Sequence, residues 1–292
     1  RTGIKTRRLI QNSEMGTSGM AEIAARRALE NAGLTADDLD MIVLGTVTPD
    51  HQVPAASCEL QNRLGIKKNI PSFDVSAACA GSIFALSVAE RFIAGGGYKR
   101  ILVVGGETMS SIVNWKDRNT CVLFGDGAGA AVLQYRAESH GLLTACMGAD
   151  GRKASLLSMP GGGSRHPASQ QSLDDRLHFL RMDGKETFKS AVTAMHRAAK
   201  KAMERCQIDI SQIKCVIPHQ ANQRIMSAVA DRLGASEDQI FVNVDKFGNT
   251  SAASVAIALD QAVEQGRIQR GDLVLLVVFG AGLTWGAAVI EW

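Results

Sequence analysis

Three residues of this chain have types and surroundings suited to covalent acyl chemistry: Cys79, His219 and Asn249. Cys79 lies in Ser76-Ala77-Ala78-Cys79-Ala80-Gly81, between an apolar stretch and a run of small residues that reads as a helix. A cysteine in the first turn of a helix meets free backbone N–H groups and the positive end of the helix dipole, and both favour a thiolate. Its small neighbours leave room for an acyl group on sulfur, so the thiolate could act as a covalent nucleophile. Most cysteines are packing residues, and the position alone does not separate the two roles. His219 follows the apolar run Cys215-Val216-Ile217 through Pro218, at a strand's carboxyl end, where α/β proteins gather ligands. A satisfied loop histidine would look the same. Asn249, in Phe247-Gly248-Asn249-Thr250-Ser251, precedes a second small-residue helix and is equally a common N-cap type. The turn Phe279-Gly280-Ala281-Gly282 could aim its amides at a developing oxyanion, or simply end a strand. The other histidines, at 51, 140, 166, 178 and 196, lack such placement; His196 falls on a basic helix with Arg197, Lys200 and Lys201.

These residues need elements to hold them, and apolar runs alternate with helical patterns along the chain. A helix capped by Thr17 or Ser18 ends near Gly33. Met41–Gly45 reads as a buried parallel strand, 55–64 as a helix, 72–75 as a strand, 78–95 as a helix and 101–105 as a third strand. The alternation predicts an α/β fold with helices covering the sheet. The second half repeats the first. Met41-Ile42-Val43 matches Cys215-Val216-Ile217 at an offset of 174 residues. Ser76-Ala77-Ala78-Cys79 matches Ser251-Ala252-Ala253-Ser254, and Val104-Gly105 matches Phe279-Gly280, both at 175. So long a period is not a solenoid; it predicts two similar halves, 1–136 and 137–292, with a site where their loops meet. Residues 137–185, rich in Gly and Ser, are long for a plain connection and read as a cover over that site, or as a surface insertion. Phe124-Gly125-Asp126-Gly127-Ala128-Gly129 has dinucleotide-loop spacing, but a strand-like stretch follows it rather than a helix, which argues against a nucleotide cofactor.

The 292 residues carry a net charge of +3, too small to argue for nucleic acid. No apolar run is long enough to span a membrane, and no apolar leader stands at Arg1. Six cysteines, at 58, 79, 121, 146, 206 and 215, form no C-x-x-C pair, so a metal site is not expected. Reduced, buried thiols suit a cytoplasmic protein.

Taken together, five motifs resemble the thiolase superfamily and, within it, the β-ketoacyl-acyl-carrier-protein synthase III family. They are Asp-Val-Ser-Ala-Ala-Cys-Ala-Gly (74–81), Phe-Gly-Asp-Gly-Ala-Gly-Ala (124–130), Pro-His-Gln-Ala-Asn-Gln-Arg-Ile (218–225), Gly-Asn-Thr-Ser-Ala-Ala-Ser (248–254) and Phe-Gly-Ala-Gly-Leu-Thr-Trp-Gly (279–286). The resemblance spans the whole chain in order. It implies a thiolase-like fold, two pseudo-repeated α/β halves in a layered α-β-α-β-α sandwich. It also implies a decarboxylative Claisen condensation that initiates fatty acid synthesis. Cys79 takes an acyl group from acyl-CoA. His219 and Asn249 stabilise the enolate left when malonyl-acyl-carrier protein loses CO₂. The N–H groups of Cys79 and Ala281 form the oxyanion hole. Asn249 favours decarboxylation, whereas an Asp there goes with plain acyl transfer.

Further positions carry over by the same resemblance. Arg1, Thr2, Arg118, Phe188 and Asn222 match CoA and pantetheine contacts. Lys189, Gln220, Arg224 and Arg232 match a patch for the acidic carrier protein. Val53 stands where a bulky Phe restricts the acyl pocket, which implies a longer or branched primer. Asn119 and Ala281 replace glycines usual in the family. The resemblance implies a homodimer, no cofactor or metal beyond the thioester substrates, and a stretch ahead of Arg1 with the sheet's first strand and an adenine-stacking tryptophan. A related thiolase-fold acyltransferase, a specialised-metabolite ketosynthase and a non-catalytic acyl-CoA or carrier-protein binding module remain as alternatives.

Overall fold

Burial along the strands alternates in a way that fixes the layers before topology is considered. Ile42, Leu44, Leu102 and Val104 belong to one buried cluster, and the intervening Met41, Val43, Ile101 and Val103 to another. Successive side chains on a strand point to opposite faces, so a sheet buried on both sides must be covered on both. The computed structural model describes residues 2–12, 14–137 and 141–292. Its strands are β1 (Met41–Gly45), β2 (Ser72–Val75), β3 (Arg100–Glu107), β4 (Gly127–Gln134), β5 (Gly141–Ala149), β6 (Leu157–Ser158), β7 (Arg181–Met182), β8 (Cys215–Pro218), β9 (Leu273–Gly280) and β10 (Thr284–Glu291). Its α-helices are α1 (Gly16–Ala32), α2 (Ala56–Arg63), α3 (Gly81–Ala94), α4 (Gln170–Asp174), α5 (Gly184–Cys206), α6 (Gln223–Leu233), α7 (Val244–Phe247) and α8 (Ser254–Glu264).

One sheet has the order β2-β1-β3-β4 and the other β5-β10-β9-β8. Pairs β1/β2, β1/β3 and β8/β9 are parallel; β3/β4, β9/β10 and β10/β5 are antiparallel. Helices α1 and α2 cover the outer face of the first sheet through Ala21, Ala25 and Leu60. Helix α5 covers the outer face of the second through Ala191, Met195 and Ala199. Between the sheets lie α3 and α8, with Ile83 and Val255 in one cluster that includes Leu276 and Val278. The five layers are the α-β-α-β-α sandwich that the resemblance implied.

Three details differ from the sequence reading. Helix α1 begins at Gly16, so Thr17 and Ser18 lie inside its first turn. The exposed amide there is satisfied from outside: the Asp50 carboxylate takes the Ser18 N–H at 3.0 Å and its hydroxyl at 2.8 Å. Residues 141–149 are a strand of the second sheet, so the segment read as a cover or insertion is reduced to the stretch after them. The repeat is offset by 173 residues at its functional turns, because Ala78–Ala80 and Ser251–Ala253 are the matching 3₁₀ turns and Gly81 and Ser254 open the matching helices. Cys79 therefore corresponds to Ala252 and not to Ser254. A one-letter match on small residues slid by two positions because alanines and serines repeat within both motifs.

Asp74 and Asp126, prominent in two motifs, are structural. Asp74 accepts the N–H groups of Ala56 and Ser57 at 2.8 and 2.9 Å, capping α2 from a neighbouring strand. Asp126 takes Ile10 N–H at 2.8 Å and the Ser110 hydroxyl at 2.6 Å, clasping the N-terminal segment to the loop after β3. The glycines around Asp126 lead into β4, and no helix opens there.

Candidate active site

Cys79 is placed by a backbone conformation that non-glycine residues seldom adopt. Ala78, before it, has φ 46°, and the chain passes through a 3₁₀ turn straight into α3. Ser251, the counterpart of Ala78, has φ 49°. Two such residues at matching turns, each costing about 1–3 kcal/mol, mark a geometry held by the surrounding fold. The end of β9 presses on the same turn: a Cβ on Gly280 would stand 2.7 Å from the Cys79 nitrogen, so only glycine fits.

The turns, strand ends and α5 enclose a cavity of about 230 Å³. Cys79, His219 and Asn249 all line it, although 170 residues separate the outer two in sequence. Much of the remaining wall is apolar, including Leu157, Met182, Phe188, Met195, Ile225 and Phe279. A thioester tail and an acyl chain suit such a wall.

His219 hangs from β9 by its backbone, donating N–H to the Val277 carbonyl at 2.7 Å. Its Nδ1 lies 2.7 Å from the Ser254 hydroxyl, which leaves Nε2 for the cavity. Burial holds the imidazole at a pKa of about 4, so the ring is neutral at physiological pH. When Ser254 donates to Nδ1, the proton sits on Nε2 and that nitrogen is a hydrogen-bond donor. Asn249 is fixed by its backbone, donating to Leu123 O at 2.9 Å and accepting from Gly125 N at 3.0 Å. Its Oδ1 accepts the Ser251 N–H at 2.8 Å, and its side chain favours the Cys79 thiolate by hydrogen bonding. Two neutral donors thus face the sulfur across one apolar cavity.

The thiol itself departs from expectation. Burial pushes the Cys79 thiol up to about 12, with the Glu107 carboxylate adding to the rise. Hydrogen bonds from Ser251 and Asn249 pull the other way without overcoming it. The helix terminus is present, but desolvation dominates at a sulfur this enclosed, and the resting group is a thiol. Glu107 was not singled out in the sequence, where it is one acid at the end of an apolar strand. It is fully buried and burial raises its pKa. Ser254 was likewise missed as the partner of His219.

The other sequence candidates separate cleanly. Thr2, Phe188 and Asn222 line the cavity. Asn222 also caps α6, its Oδ1 accepting the Arg224 N–H at 2.9 Å. Arg1 lies outside the described residues. Arg118 is exposed and its neighbour Asn119 reaches the wall instead. Lys189, Arg224 and Arg232 are exposed, and the Arg224 guanidinium lies 5.6 Å from the Phe188 ring centroid, at the wall of the cavity. Gln220 is a correction. It is buried, its NH₂ donates to Pro218 O and Phe241 O, and its Oε1 accepts from Asn243 N and Val244 N. With all these positions used inside the fold, it cannot receive a carrier protein. Val53 is 86 % exposed and is not part of its own chain's cavity wall. The cover contributes Leu157, Met182 and Gly184 to the wall.

The burial of His219 has a stability consequence. Its pKa falls from 6.5 unfolded to about 4 folded, so the unfolded chain binds the proton first. Stability present above pH 6.5 is lost as pH falls through about 4, by up to roughly 3 kcal/mol. Denaturant unfolding across that window should show a steeper loss for the wild type than for His219→Gln; equal slopes would contradict the buried neutral ring.

Comparison with known proteins agrees with this geometry. Residues 73–151 match the family model for 3-oxoacyl-[acyl-carrier-protein] synthase III, and residues 203–292 match the model for its C-terminal part. The β-ketoacyl-[acyl-carrier-protein] synthase III of Caldanaerobacter subterraneus subsp. tengcongensis is 50 % identical over 292 residues, covering 100 % of this chain and 88 % of that protein. The corresponding protein of Clostridioides difficile is 45 % identical with the same coverage. The crystal structure of 3-oxoacyl-[acyl-carrier-protein] synthase III from Aquifex aeolicus superposes with a TM-score of 0.91 at 42 % identity, covering 100 % of this chain and 89 % of that one. A five-layer fold, a cysteine-bearing turn at the join of two halves and identity of this extent over the full length lead to one family: this chain belongs to the β-ketoacyl-[acyl-carrier-protein] synthase III family.

Proposed function

We propose that this chain catalyses the decarboxylative condensation of an acyl-CoA primer with malonyl-acyl-carrier protein, giving a 3-oxoacyl-acyl-carrier protein and initiating fatty acid synthesis. The observation that supports it most is the meeting of Cys79, His219 and Asn249 on one largely apolar cavity. In the first stage the Cys79 sulfur attacks the acyl thioester, CoA leaves and the acyl group stays on the enzyme. In the second, malonyl-acyl-carrier protein enters and loses CO₂. The His219 Nε2–H and the Asn249 side-chain NH₂ donate to its thioester oxygen and hold the enolate charge, and the enolate carbon attacks the acyl group. The N–H groups of Cys79 and Ala281 take the oxyanion of each tetrahedral intermediate. Neutral donors suit both stages: a protonated His219 would cost desolvation in this site, and neither stage needs a metal or redox cofactor. Incubation of the protein with acyl-CoAs and malonyl-acyl-carrier protein, followed by mass spectrometry of the carrier, tests the reading; a product two carbons longer than the primer is expected. Acyl transfer without release of CO₂ would favour the acyltransferase alternative instead.

The partners follow from the same reading. Lys189, Arg224 and Arg232 are exposed cations suited to an acidic carrier protein, Lys189 also pairing with Glu186 at 2.8 Å. Thr2, Phe188 and Asn222 would hold the pantetheine arm, with Arg118 and Arg1 nearer the nucleotide. The two halves, 1–136 and 137–292, each contribute one functional turn. Among the described residues no helix is long and apolar enough to cross a membrane, and a cytoplasmic location is part of this proposal. So is a homodimer, in which Val53, exposed in one chain, would reach the partner's acyl pocket. Val53→Phe should then shift preference toward acetyl-CoA over longer or branched primers by roughly tenfold or more, the scale of a filled apolar subsite. Competition assays with mixed acyl-CoAs measure this, and an unchanged ratio would remove Val53 from the pocket.

A further inference from the structure

The Glu107 carboxylate is the least expected group near the nucleophile. It ends β3 fully buried, with no cation bound to it among the described residues. Its two oxygens are used unequally. Oε2 accepts from Thr46 Oγ1, Val47 N–H and Thr48 N–H, each at 3.1 Å, and from Thr48 Oγ1 at 2.5 Å. Among the described residues Oε1 accepts from a single group, the Ser251 hydroxyl, at 2.9 Å. That oxygen keeps a lone pair unshared inside the protein. Ser251 in turn stands beside Cys79. The two turns touch across the join between the halves, since a Cβ on Gly81 would come within 3.1 Å of the Ala252 Cβ. The Ser251 hydroxyl is close enough to favour the thiolate by donating to it, the arrangement reached once its own proton has passed to Glu107, and Glu107 is close enough to act on the sulfur electrostatically.

A buried thiol needs somewhere to put its proton. We propose, on the footing that Cys79 is the acyl-carrying nucleophile, that Glu107 is its proton acceptor, reached through the Ser251 hydroxyl. Ser251 donates to Oε1, and its oxygen keeps lone pairs that can take the thiol proton. The S–H bond breaks and its proton goes to Ser251 Oγ. The Ser251 proton passes to Glu107 Oε1, where a new O–H bond forms, and the electron pair stays on sulfur. The net charge of the group is −1 before and after, so no charge is created inside the fold. The four donors on Oε2 hold the carboxyl group in place in either state. The sulfur pair then bonds to the acyl carbon, CoA departs as its thiolate, and the proton held on Glu107 balances that departure. Glu107 is thus a positioning and proton-accepting residue acting through Ser251, without touching the acyl group itself. Among the described residues the titratable side chains near the sulfur are Glu107 and His219, and His219 is held neutral by burial and turned to Ser254. Burial also raises the Glu107 pKa, which brings the two ends of the path closer in proton affinity.

The pH dependence of Cys79 alkylation by iodoacetamide distinguishes this from simple repulsion by a carboxylate. The thiol–carboxylate and thiolate–acid forms hold the same number of protons, so their ratio does not change with pH once Glu107 has lost its solvent-titrated proton. Wild-type Cys79, followed by peptide mass spectrometry, should show a rate that levels off below the pKa of the thiol. In Glu107→Gln the proton must go to solvent, and the rate should climb about tenfold per pH unit from a value at pH 7 at least about tenfold below wild type. If Glu107 only repels, Glu107→Gln should alkylate faster than wild type at pH 7, and that result overturns the proposal. Ser251→Ala cuts the path while keeping the Glu107 charge, and should give the same steep profile if the relay holds; a wild-type profile in this variant overturns it. The backbone tolerates this change, because Ala78 takes the matching φ in the same chain. Ser251→Ala therefore remains decisive if Glu107→Gln does not fold. Acyl-CoA labelling of wild-type Cys79 is run alongside. Labelling with a solvent-limited slope in every protein removes the relay and keeps the nucleophile assignment, whereas no labelling of Cys79 removes both.

Discussion

Cys79→Ala is expected to lower condensation by roughly 10⁴-fold or more while leaving malonyl decarboxylation in place. The first half of that statement follows from covalency. Among the described residues the nearby hydroxyls are engaged elsewhere: Ser251 is directed at Glu107, Ser254 at His219, Thr187 at the Leu156 carbonyl, and Thr2 accepts from Ile4 N–H. The second half follows from the division of labour in the cavity. His219 is held by Ser254 and by β9, and Asn249 by Leu123, Gly125 and Ser251; none of these contacts passes through the sulfur. The donors that stabilise an enolate therefore keep their geometry when the thiol is gone. Removing one buried sulfur should cost about 1 kcal/mol of stability, and the protein should remain folded. Intact-protein mass spectrometry after incubation with a panel of acyl-CoAs would show an acyl adduct on wild type and none on the variant. Release of labelled CO₂ from malonyl-acyl-carrier protein reports the second half. An adduct of undiminished yield on Cys79→Ala would mean that the acyl group is carried elsewhere.

His219→Ala and Asn249→Ala should each reduce decarboxylation by roughly 10²–10³-fold, the usual cost of one oxyanion donor of about 2.7–4 kcal/mol. Acylation of Cys79 should persist in His219→Ala, because the ring bonds Ser254 and the cavity and is not among the hydrogen bonds that stabilise the thiolate. Asn249→Ala should also slow acylation modestly, since its side chain does belong to that set. Asn249→Asp is more informative. A carboxylate cannot donate to the enolate, and a second negative charge near the sulfur would raise the Cys79 pKa further. Both half-reactions should suffer, decarboxylation most. Stopped-time assays of CO₂ release and of adduct formation separate the two stages. Loss of acylation with decarboxylation intact in His219→Ala would reverse the roles and make the ring the base for the thiol.

The elements around this site were largely legible. The apolar runs at 41–45, 72–75 and 101–105 became β1, β2 and β3 with small shifts at their ends, because a strand buried on both faces has a run of large apolar residues to show for it. Helix α1 stopped where Gly33 takes φ 65°, the left-handed cap that glycine allows. Its start was misplaced because Asp50, distant in sequence, supplies the cap that Thr17 and Ser18 were expected to give. Residues 141–149 were assigned to the cover because their sequence begins at a glycine and carries scattered small residues. Pairing with β10 makes them a strand, and no local pattern announces a partner more than a hundred residues away. Gln220 stands between two functional neighbours and was grouped with them; its side chain turns inward to tie four backbone groups.

What the sequence determined by itself is the set of local commitments: the strand runs, the small-residue turns at 78–81 and 251–254, the duplication, and the three chemical residue types placed at the ends of elements. Each depends on side-chain size, polarity and spacing within a few residues. The tertiary structure alone decided the chemistry of those residues. Ser251 and Glu107 are 144 positions apart, and only the packing of one half on the other makes them a pair. The same packing removes water from Cys79, His219 and Glu107, and desolvation, a property of the folded surroundings and not of the residue, sets their protonation.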